Sequence, residues 1–369
     1  MENKGYFLRR FSGTREEIGQ ALGCFYRKHG LAWFRPTGDL RRIEGKQIAY
    51  ALRQLELVES YNPGLVKELN GLAKGLGVAF EQAAAVALTS GMRGPDSGLG
   101  CTAFVARSRS GDIYLARNLD FNLMDGRTVY LARFTSPSDA CTTFGGTEAL
   151  LGYTEGINQY GVAIAMAMVP MGEYDWKTLL PKEPPRRGVS FPVAIRTALE
   201  TCDSAHSAAG FLASIPHLEP FNFLIADPSG EVIIVEAAPW GCEVHRGTPE
   251  EKMIITNVFS TPSMEEGGKW MDEMQARAQK TLSALRERAL RTAWEFAERS
   301  LTGFDETAIL ALLRMVAFDY GSADATHTIW SACFNLTKRT ILWCRGTPRK
   351  HRFESLGIVT CPQGTDNGA

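Results

Sequence analysis

Gly100-Cys-Thr-Ala-Phe-Val-Ala-Arg107-Ser-Arg-Ser-Gly111-Asp-Ile-Tyr-Leu-Ala-Arg117-Asn-Leu-Asp120-Phe-Asn122 is the stretch on which the reading of this chain turns. Two β-prone runs, CTAFVARS and DIYLARN, flank the turn signal Ser108-Arg-Ser-Gly111, which predicts a hairpin. A turn centred there sets Cys101 opposite residues 118–120, so Arg117 and Asp120 return beside the cysteine. A thiol, a guanidinium and a carboxylate therefore meet at one hairpin end. Arg117 and Asp120 differ in parity and would face opposite sides of a regular strand, so a bend near Leu119 is expected to re-aim one of them. Spacing alone leaves open a core cysteine accompanied by a surface ion pair.

Outward from the hairpin, residues 1 to about 95 read as mostly helical. Thr14-Arg-Glu-Glu17 has the pattern of a capping box ahead of an amphipathic stretch in which Ile18, Leu22 and Phe25 share a face. Further helices are expected over 40–58, 64–76 and 79–90, with Asn62-Pro63 breaking the first two apart. Four glycines and a proline between Gly91 and Gly100 make a flexible loop. Beyond it, TVYLARF, ACTTFGG and GVAIAMAM continue the strand pattern. A Pro-rich insertion begins at Pro181, and helices are expected over 190–201 and 206–214. Strands resume at 222–227, 231–237, 242–246 and 253–259. Helices over 270–301 and 306–316 precede a closing hairpin, HTIWSACFN and RTILWCRG. The strands exceed what one sheet needs and the helices come in groups. That predicts an α+β architecture of two mainly antiparallel sheets with helical layers outside.

The 369 residues are 44% hydrophobic and 22% charged, as in a globular protein rather than a disordered or fibrous one. Forty basic residues against forty-one acidic ones leave a net charge of -1, which removes the electrostatic basis for nucleic-acid binding and for a polybasic membrane anchor. The longest nearly apolar run, Gly161–Pro170, is far short of the roughly 20 residues of a membrane span. No apolar h-region follows the N-terminus, so no secretory signal is expected. The eight cysteines form no CxxC or CxxxC pair, and a cytoplasmic protein with reduced thiols is expected. The six histidines form no HxH, HxxxH or HExxH, so no metal site is expected. No GxGxxG or GxxxxGK[ST] occurs, and no cofactor is expected either.

If the Gly100–Cys101 bond is cut, Cys101 gains a free α-amine. Its pKa of about 7.7–8, against about 10.4 for lysine, leaves much of it unprotonated near neutrality. That amine can act as general base for its own thiol, and no histidine is then needed.

Cys-Thr followed by Gly111-Asp-Ile-Tyr-Leu-Ala-Arg117-Asn-Leu-Asp120-Phe resembles the start of the catalytic β-chain of cysteine N-terminal-nucleophile hydrolases. The resemblance is nearest to the acyl-coenzyme A:6-aminopenicillanate acyltransferase family (peptidase family C45). Bile-salt hydrolases, penicillin V acylases and acid ceramidases are more distant. FSGTREEIGQALG, Thr154-Glu-Gly-Ile-Asn-Gln-Tyr-Gly-Val, Asn222-Phe-Leu-Ile-Ala-Asp-Pro-Ser-Gly-Glu and Ile255-Thr-Asn257 resemble further segments of that family.

The resemblance implies a four-layer αββα sandwich. Residues 1–100 would form a helical pre-segment, the α-chain after self-cleavage at Gly100–Cys101, and residues 101–369 the catalytic β-chain. It makes Cys101 nucleophile and, through its amine, base. Arg117 would stabilise the thiolate, Asp120 would orient the amine or the substrate nitrogen, and Asn257 would donate to the oxyanion. Arg277 sits where relatives place a further arginine on the substrate side; a solvated helix-face arginine is the alternative, as a strand cap is for Asn257. The implied partners are a small acyl-amide substrate, an acyl-CoA as an admissible donor, and the two fragments of one precursor, with homo-oligomer formation left open.

Two departures stand out. Thr-Asn-Val-Phe replaces the usual Thr-Asn-His, and the place where bile-salt hydrolases carry an asparagine supporting the oxyanion site falls near Met168. A thioether donates no hydrogen bond, which leaves the second donor to a backbone amide. Two rivals remain: a papain-like protease using Cys101 and a histidine, and a binding protein of the same fold that never matures.

Overall fold

Strands whose residues are buried on both faces need a layer on either side, and several strands here are of that kind. In the computed structural model, which describes residues 6–29, 45–89, 100–122, 129–136, 141–147, 150–169, 174–175, 180–181, 187–267, 273–299, 304–319 and 326–360, strand β2 is buried at every position except Arg107.

In chain order the elements begin with β1 (Tyr6–Ser12), α1 (Arg15–His29), α2 (Lys46–Tyr61), α3 (Pro63–Leu76) and α4 (Phe80–Thr89). Then come β2 (Gly100–Arg107), β3 (Ile113–Asn122), β4 (Val129–Ser136), β5 (Cys141–Thr147), β6 (Glu155–Asn158) and β7 (Ala163–Met168). A short pair, β8 (Tyr174–Asp175) and β9 (Leu180–Pro181), precedes α5 (Phe191–Thr201) and α6 (Ala205–Ser214). The chain continues with β10 (Phe221–Ala226), β11 (Val232–Ala238), β12 (Gly241–Gly247), β13 (Ile254–Ile255), α7 (Pro262–Gly267), α8 (Glu273–Glu298) and α9 (Glu306–Met315). It closes with β14 (Thr326–Asn335), β15 (Thr340–Arg345) and β16 (Phe353–Ile358).

An eight-stranded sheet, β1-β4-β5-β6-β7-β10-β11-β12, lies against a six-stranded one, β13-β2-β3-β14-β15-β16. Period-2 alternation assigns the faces. Cys101, Ala103 and Val105 of β2 point between the sheets, against Ala163, Ala165 and Leu224 of the larger one. Phe104 and Ala106 point the other way, into a core with Leu290 and Trp294 of α8 and Leu312 of α9. The outer face of the larger sheet is covered by α5 and α6 together with the helices of the first ninety residues. The result is the expected α+β sandwich, layered αββα. Among the described residues, no helix is long and apolar enough to cross a membrane.

The first hundred residues are not all helical. β1 joins the larger sheet as an edge strand, parallel to β4 from Tyr6↔Val129 to Ser12↔Thr135. The run Met253–Phe259 contributes only Ile254–Ile255 to a strand, because it leaves the sheet edge almost at once. β6 and β16 are strands that the sequence reading did not separate from their surroundings. The glycine-rich loop lies outside the described residues except for Gly100, as do residues 182–186 of the Pro-rich insertion.

Candidate active site

The β2–β3 register pairs Cys101 with Leu119, Ala103 with Arg117 and Gly100 with Asp120. On its other side β2 pairs with β13, Ile255 opposite Ala103. Following that antiparallel register two residues further brings Asn257 opposite Cys101. The Cys101 amide N–H accordingly donates to Asn257 Oδ1 at 2.7 Å, while Asn257 Nδ2 donates to the Met168 carbonyl at 2.8 Å. Asn222 on β10 braces this segment, since its Nδ2 donates to the carbonyls of Thr256 (2.9 Å) and Val258 (2.7 Å) on either side of Asn257.

The expected bend near Leu119 does not occur. β3 keeps its pairing with β2 through Asp120, and the register shift lies in the neighbouring β14, between Thr328 and Trp330. Arg117 and Asp120 therefore stay on opposite faces of the sheet, yet both border Cys101. Arg117 lies between the sheets beside the thiol. Its Nη2 donates to Cys101 Sγ at 3.4 Å, its Nε donates to the Met166 carbonyl at 2.9 Å, and its Nη1 pairs with Glu155. Asp120 lies on the face toward α8, next to the bond that precedes Cys101. A Cβ placed on Gly100 would come 3.1 Å from Asp120 Cβ, 3.0 Å from the Phe318 ring and 3.2 Å from Arg286 Nη1, so a glycine lets these groups close around the Gly100–Cys101 junction. Thr328 Oγ1 donates to Asp120 Oδ1 at 2.5 Å. Asp120 Oδ2 has no hydrogen-bond partner among the described residues and lies 3.9 Å from Arg286 Nη1.

Arg286 is the member of the cluster that the sequence reading missed. Its Nη1 donates to the Cys101 carbonyl and its Nη2 to Asn257 Oδ1, both at 2.9 Å, and its guanidinium packs over the Phe318 ring. One signal for it does exist in the sequence. Ser283, Arg286, Leu290 and Trp294 recur at helical spacing and are all buried, so Arg286 stands in the apolar stripe of α8. Arg277, expected on the substrate side, is exposed on the same helix two and a half turns earlier, about 13 Å along the axis. The structure does not bring it to the cluster.

Cys101, Arg117, Asp120 and Asn257 are all buried. Burial pushes the Cys101 thiol above its ordinary value and outweighs the lowering by Arg117 and Arg286; Asp120 adds to the rise. Burial also carries the Asp120 carboxyl up to about 7, against the opposing influence of Arg286, Thr328 and Arg117. Arg117 thus acts on the thiol in the lowering direction, but burial outweighs it. No histidine bonds to Cys101 among the described residues, and no three His, Cys, Asp or Glu side chains there come together to hold a metal. The Met168 position offers its backbone carbonyl to Asn257 rather than a side-chain donor.

Residues 106–350 match the acyl-coenzyme A:6-aminopenicillanic acid acyl-transferase family. The match begins five residues after Cys101, so it does not cover the cysteine. No curated protein matches the chain. Among solved structures it is similar to a mutant conjugated bile acid hydrolase from Clostridium perfringens (14% identity, 69% of this chain and 92% of that one, TM-score 0.48). It is also similar to penicillin V acylase from Agrobacterium tumefaciens (15%, 66% and 83%, 0.43) and to the Caenorhabditis elegans ortholog of N-acylethanolamine-hydrolyzing acid amidase (15%, 64% and 93%, 0.41). The family match runs from the end of β2 to the turn after β15, taking in strands of both sheets and the helices α5 to α9, and the chain belongs to the acyl-coenzyme A:6-aminopenicillanic acid acyl-transferase family.

Proposed function

We propose that this chain is an autoproteolytically activated amidohydrolase or acyltransferase that works through a thioester on Cys101. It would cleave a linear amide C–N bond of a small acyl-amide, or pass the acyl group to an amine, with an acyl-CoA as an admissible donor. The observation that carries the reading is the Gly100–Cys101 junction itself. The nitrogen of that peptide bond is held by Asn257 Oδ1 at 2.7 Å, and the thiol on the same residue is touched by Arg117 Nη2 at 3.4 Å.

Maturation follows as an N-to-S acyl shift. Cys101 Sγ attacks the Gly100 carbonyl, the C–N bond breaks, and the thiol proton passes to the departing nitrogen, which becomes the α-amine of Cys101. Water then hydrolyses the thioester, leaving residues 1–100 with a new carboxylate and residues 101–369 with Cys101 first. In turnover the amine takes the thiol proton as the sulfur attacks a substrate carbonyl. Asp120, beside the junction, orients that amine. Asn257 Nδ2 keeps one hydrogen on the Met168 carbonyl and offers its second to the oxyanion, while Arg286 holds Asn257 Oδ1 and the Cys101 carbonyl in place.

Denaturing gel electrophoresis with N-terminal sequencing tests the reading. Wild type should give two fragments, 1–100 and 101–369, and Cys101→Ala a single chain. A purified wild-type protein whose only N-terminus is Met1 overturns self-cleavage and leaves the two rivals, a papain-like protease and a binding protein that never matures.

A further inference from the structure

Glu155 is a fully buried carboxylate that the chemistry above does not use. It stands on β6, and its carboxylate reaches across to the smaller sheet. Its Oε2 pairs with Arg117 Nη1 and accepts from Thr154 Oγ1 at 2.8 Å, and its Oε1 accepts from Trp330 Nε1 at 2.8 Å. Room for that carboxylate is made by Gly146, where a Cβ would fall 2.1 Å from Glu155 Oε1 and 2.8 Å from the Trp343 ring. Arg117 is buried just as completely. Its guanidinium is a planar fork, and two of its three nitrogens are tied to Glu155 and the Met166 carbonyl, which directs the third, Nη2, at Cys101 Sγ.

We propose that Glu155 is a positioning residue for Arg117: it turns one arm of the guanidinium onto the Cys101 sulfur and cancels most of the charge that the sulfur would otherwise feel. This rests on the reading of Cys101 as nucleophile. A lone guanidinium within hydrogen-bond reach of a thiol favours the thiolate; an ion pair at the same place presents a dipole, whose field falls off faster. Among the described residues, the charged groups that face the sulfur and its backbone are Arg117 and Asp120 from β3, Arg286 from α8 and, behind Arg117, Glu155 from β6. Glu155 thus lets a cation sit beside the nucleophile in a dry interior without forcing the thiol to ionise before cleavage or substrate binding supplies a base. The thiol stays in reserve.

The test is a pH titration of the Cys101 thiol by carbon-13 NMR of labelled cysteine Cβ, with the Cys101 signal assigned by its loss in Cys101→Ser. In Glu155→Gln the thiol midpoint should fall by about one pH unit or more, the size of shift that an uncompensated charge at this distance produces. Glu155→Asp, which keeps the charge, should return it toward the wild-type value. Should Glu155→Gln not fold, the double variant Arg117→Gln/Glu155→Gln removes both charges of this pair and leaves neither without its partner, and its midpoint should stay within one unit of wild type. An unchanged midpoint in folded Glu155→Gln, or a rise of more than one unit in the double variant, overturns the proposal. The reading is made on the thiol itself, so it decides this inference whether or not the chain cleaves itself or turns over amides.

Discussion

Asp120 is held between opposing influences, and the balance has a sign that can be measured. Burial raises its carboxyl from an ordinary value near 3.8 to about 7, so the folded chain binds a proton that the unfolded chain has released. Its contribution to stability is fully present below about pH 4 and is lost as pH rises through about 7, a change on the order of 4 kcal/mol. Urea midpoints measured from pH 4 to 8 should show this loss in wild type and not in Asp120→Asn. A wild-type curve that matches the variant's would mean that Asp120 ionises freely. The neighbouring Asn257 separates two jobs, because its oxygen accepts from Cys101 and Arg286 while its nitrogen is the donor. Asn257→Asp keeps the acceptor and opposes the oxyanion and the Met168 carbonyl with a second negative oxygen. Turnover of matured enzyme should therefore fall further in Asn257→Asp than in Asn257→Ala, which loses about 2.7–4 kcal/mol of transition-state stabilisation. Wild-type kcat in both would reduce Asn257 to a strand cap.

α1 shows how local signals and close packing combine in one element. Thr14 and Glu17 form the expected capping box, with Glu17 N–H donating to Thr14 Oγ1 at 3.3 Å and Thr14 N–H to Glu17 Oε2 at 2.8 Å. Ile18, Leu22 and Phe25 are buried along one face as the periodicity required. The Gly19 in FSGTREEIGQALG has a reason that only the neighbour supplies: a Cβ there would lie 1.8 Å from the Glu68 carbonyl oxygen of α3. The two helix backbones touch, so Gly19→Ala must push α3 away. Its midpoint of thermal unfolding should drop, with a cost of about 1–3 kcal/mol or more. An unaffected midpoint would show that α1 and α3 can slide apart without penalty.

At the scale of the molecule, residues before and after the Gly100–Cys101 bond share one fold. β1 is hydrogen-bonded into the larger sheet, and a buried ionic network ties α1 and α3 to α5. Arg15 and Asn62 each donate to Glu200 at 2.8 Å, and Arg196 grips Glu68 with two bonds of 2.7 Å. The fragments of a cut chain should therefore co-elute in gel filtration at neutral pH. Arg15, Arg196 and Asn62 hold Glu200 at about 2 although burial opposes them, well below its ordinary 4.5. A depressed carboxylate stabilises above its unfolded pKa and ceases to do so as pH falls through the folded one. Glu200 should thus contribute about 3 kcal/mol that vanishes between roughly pH 4.5 and 2, while Glu68, whose carboxyl is pushed up by burial, acts in the opposite sense. Arg196→Met leaves two buried carboxylates short of a partner and should cost about 3–5 kcal/mol. Fragments of the variant that co-elute as firmly as wild type would show that β1 and the apolar contacts alone hold the halves together.

The sequence by itself determined the hairpin that bears Cys101, because a turn signal and two strand runs set a register within twenty residues. It also determined the positions of the helices other than the short α7, through caps, breakers and periodicity, and the two-sheet layered class, through the grouping of strands and helices. What only the tertiary structure decided depends on contacts between distant segments. β1 read as part of a helical region because seven residues carry too little pattern until β4 pairs with them. Parity puts Arg117 and Asp120 on opposite faces, and the bend expected to re-aim one of them is not needed: with both layers in place, one reaches the Cys101 side chain and the other its backbone. Arg286 rather than Arg277 joins the cluster because α8 crosses β2 at that turn, and no spacing within α8 reports where a helix crosses a sheet. Glu155 is equally silent in the sequence: its meaning is a charge partner thirty-eight positions away, brought within bonding distance by the packing of one sheet on the other.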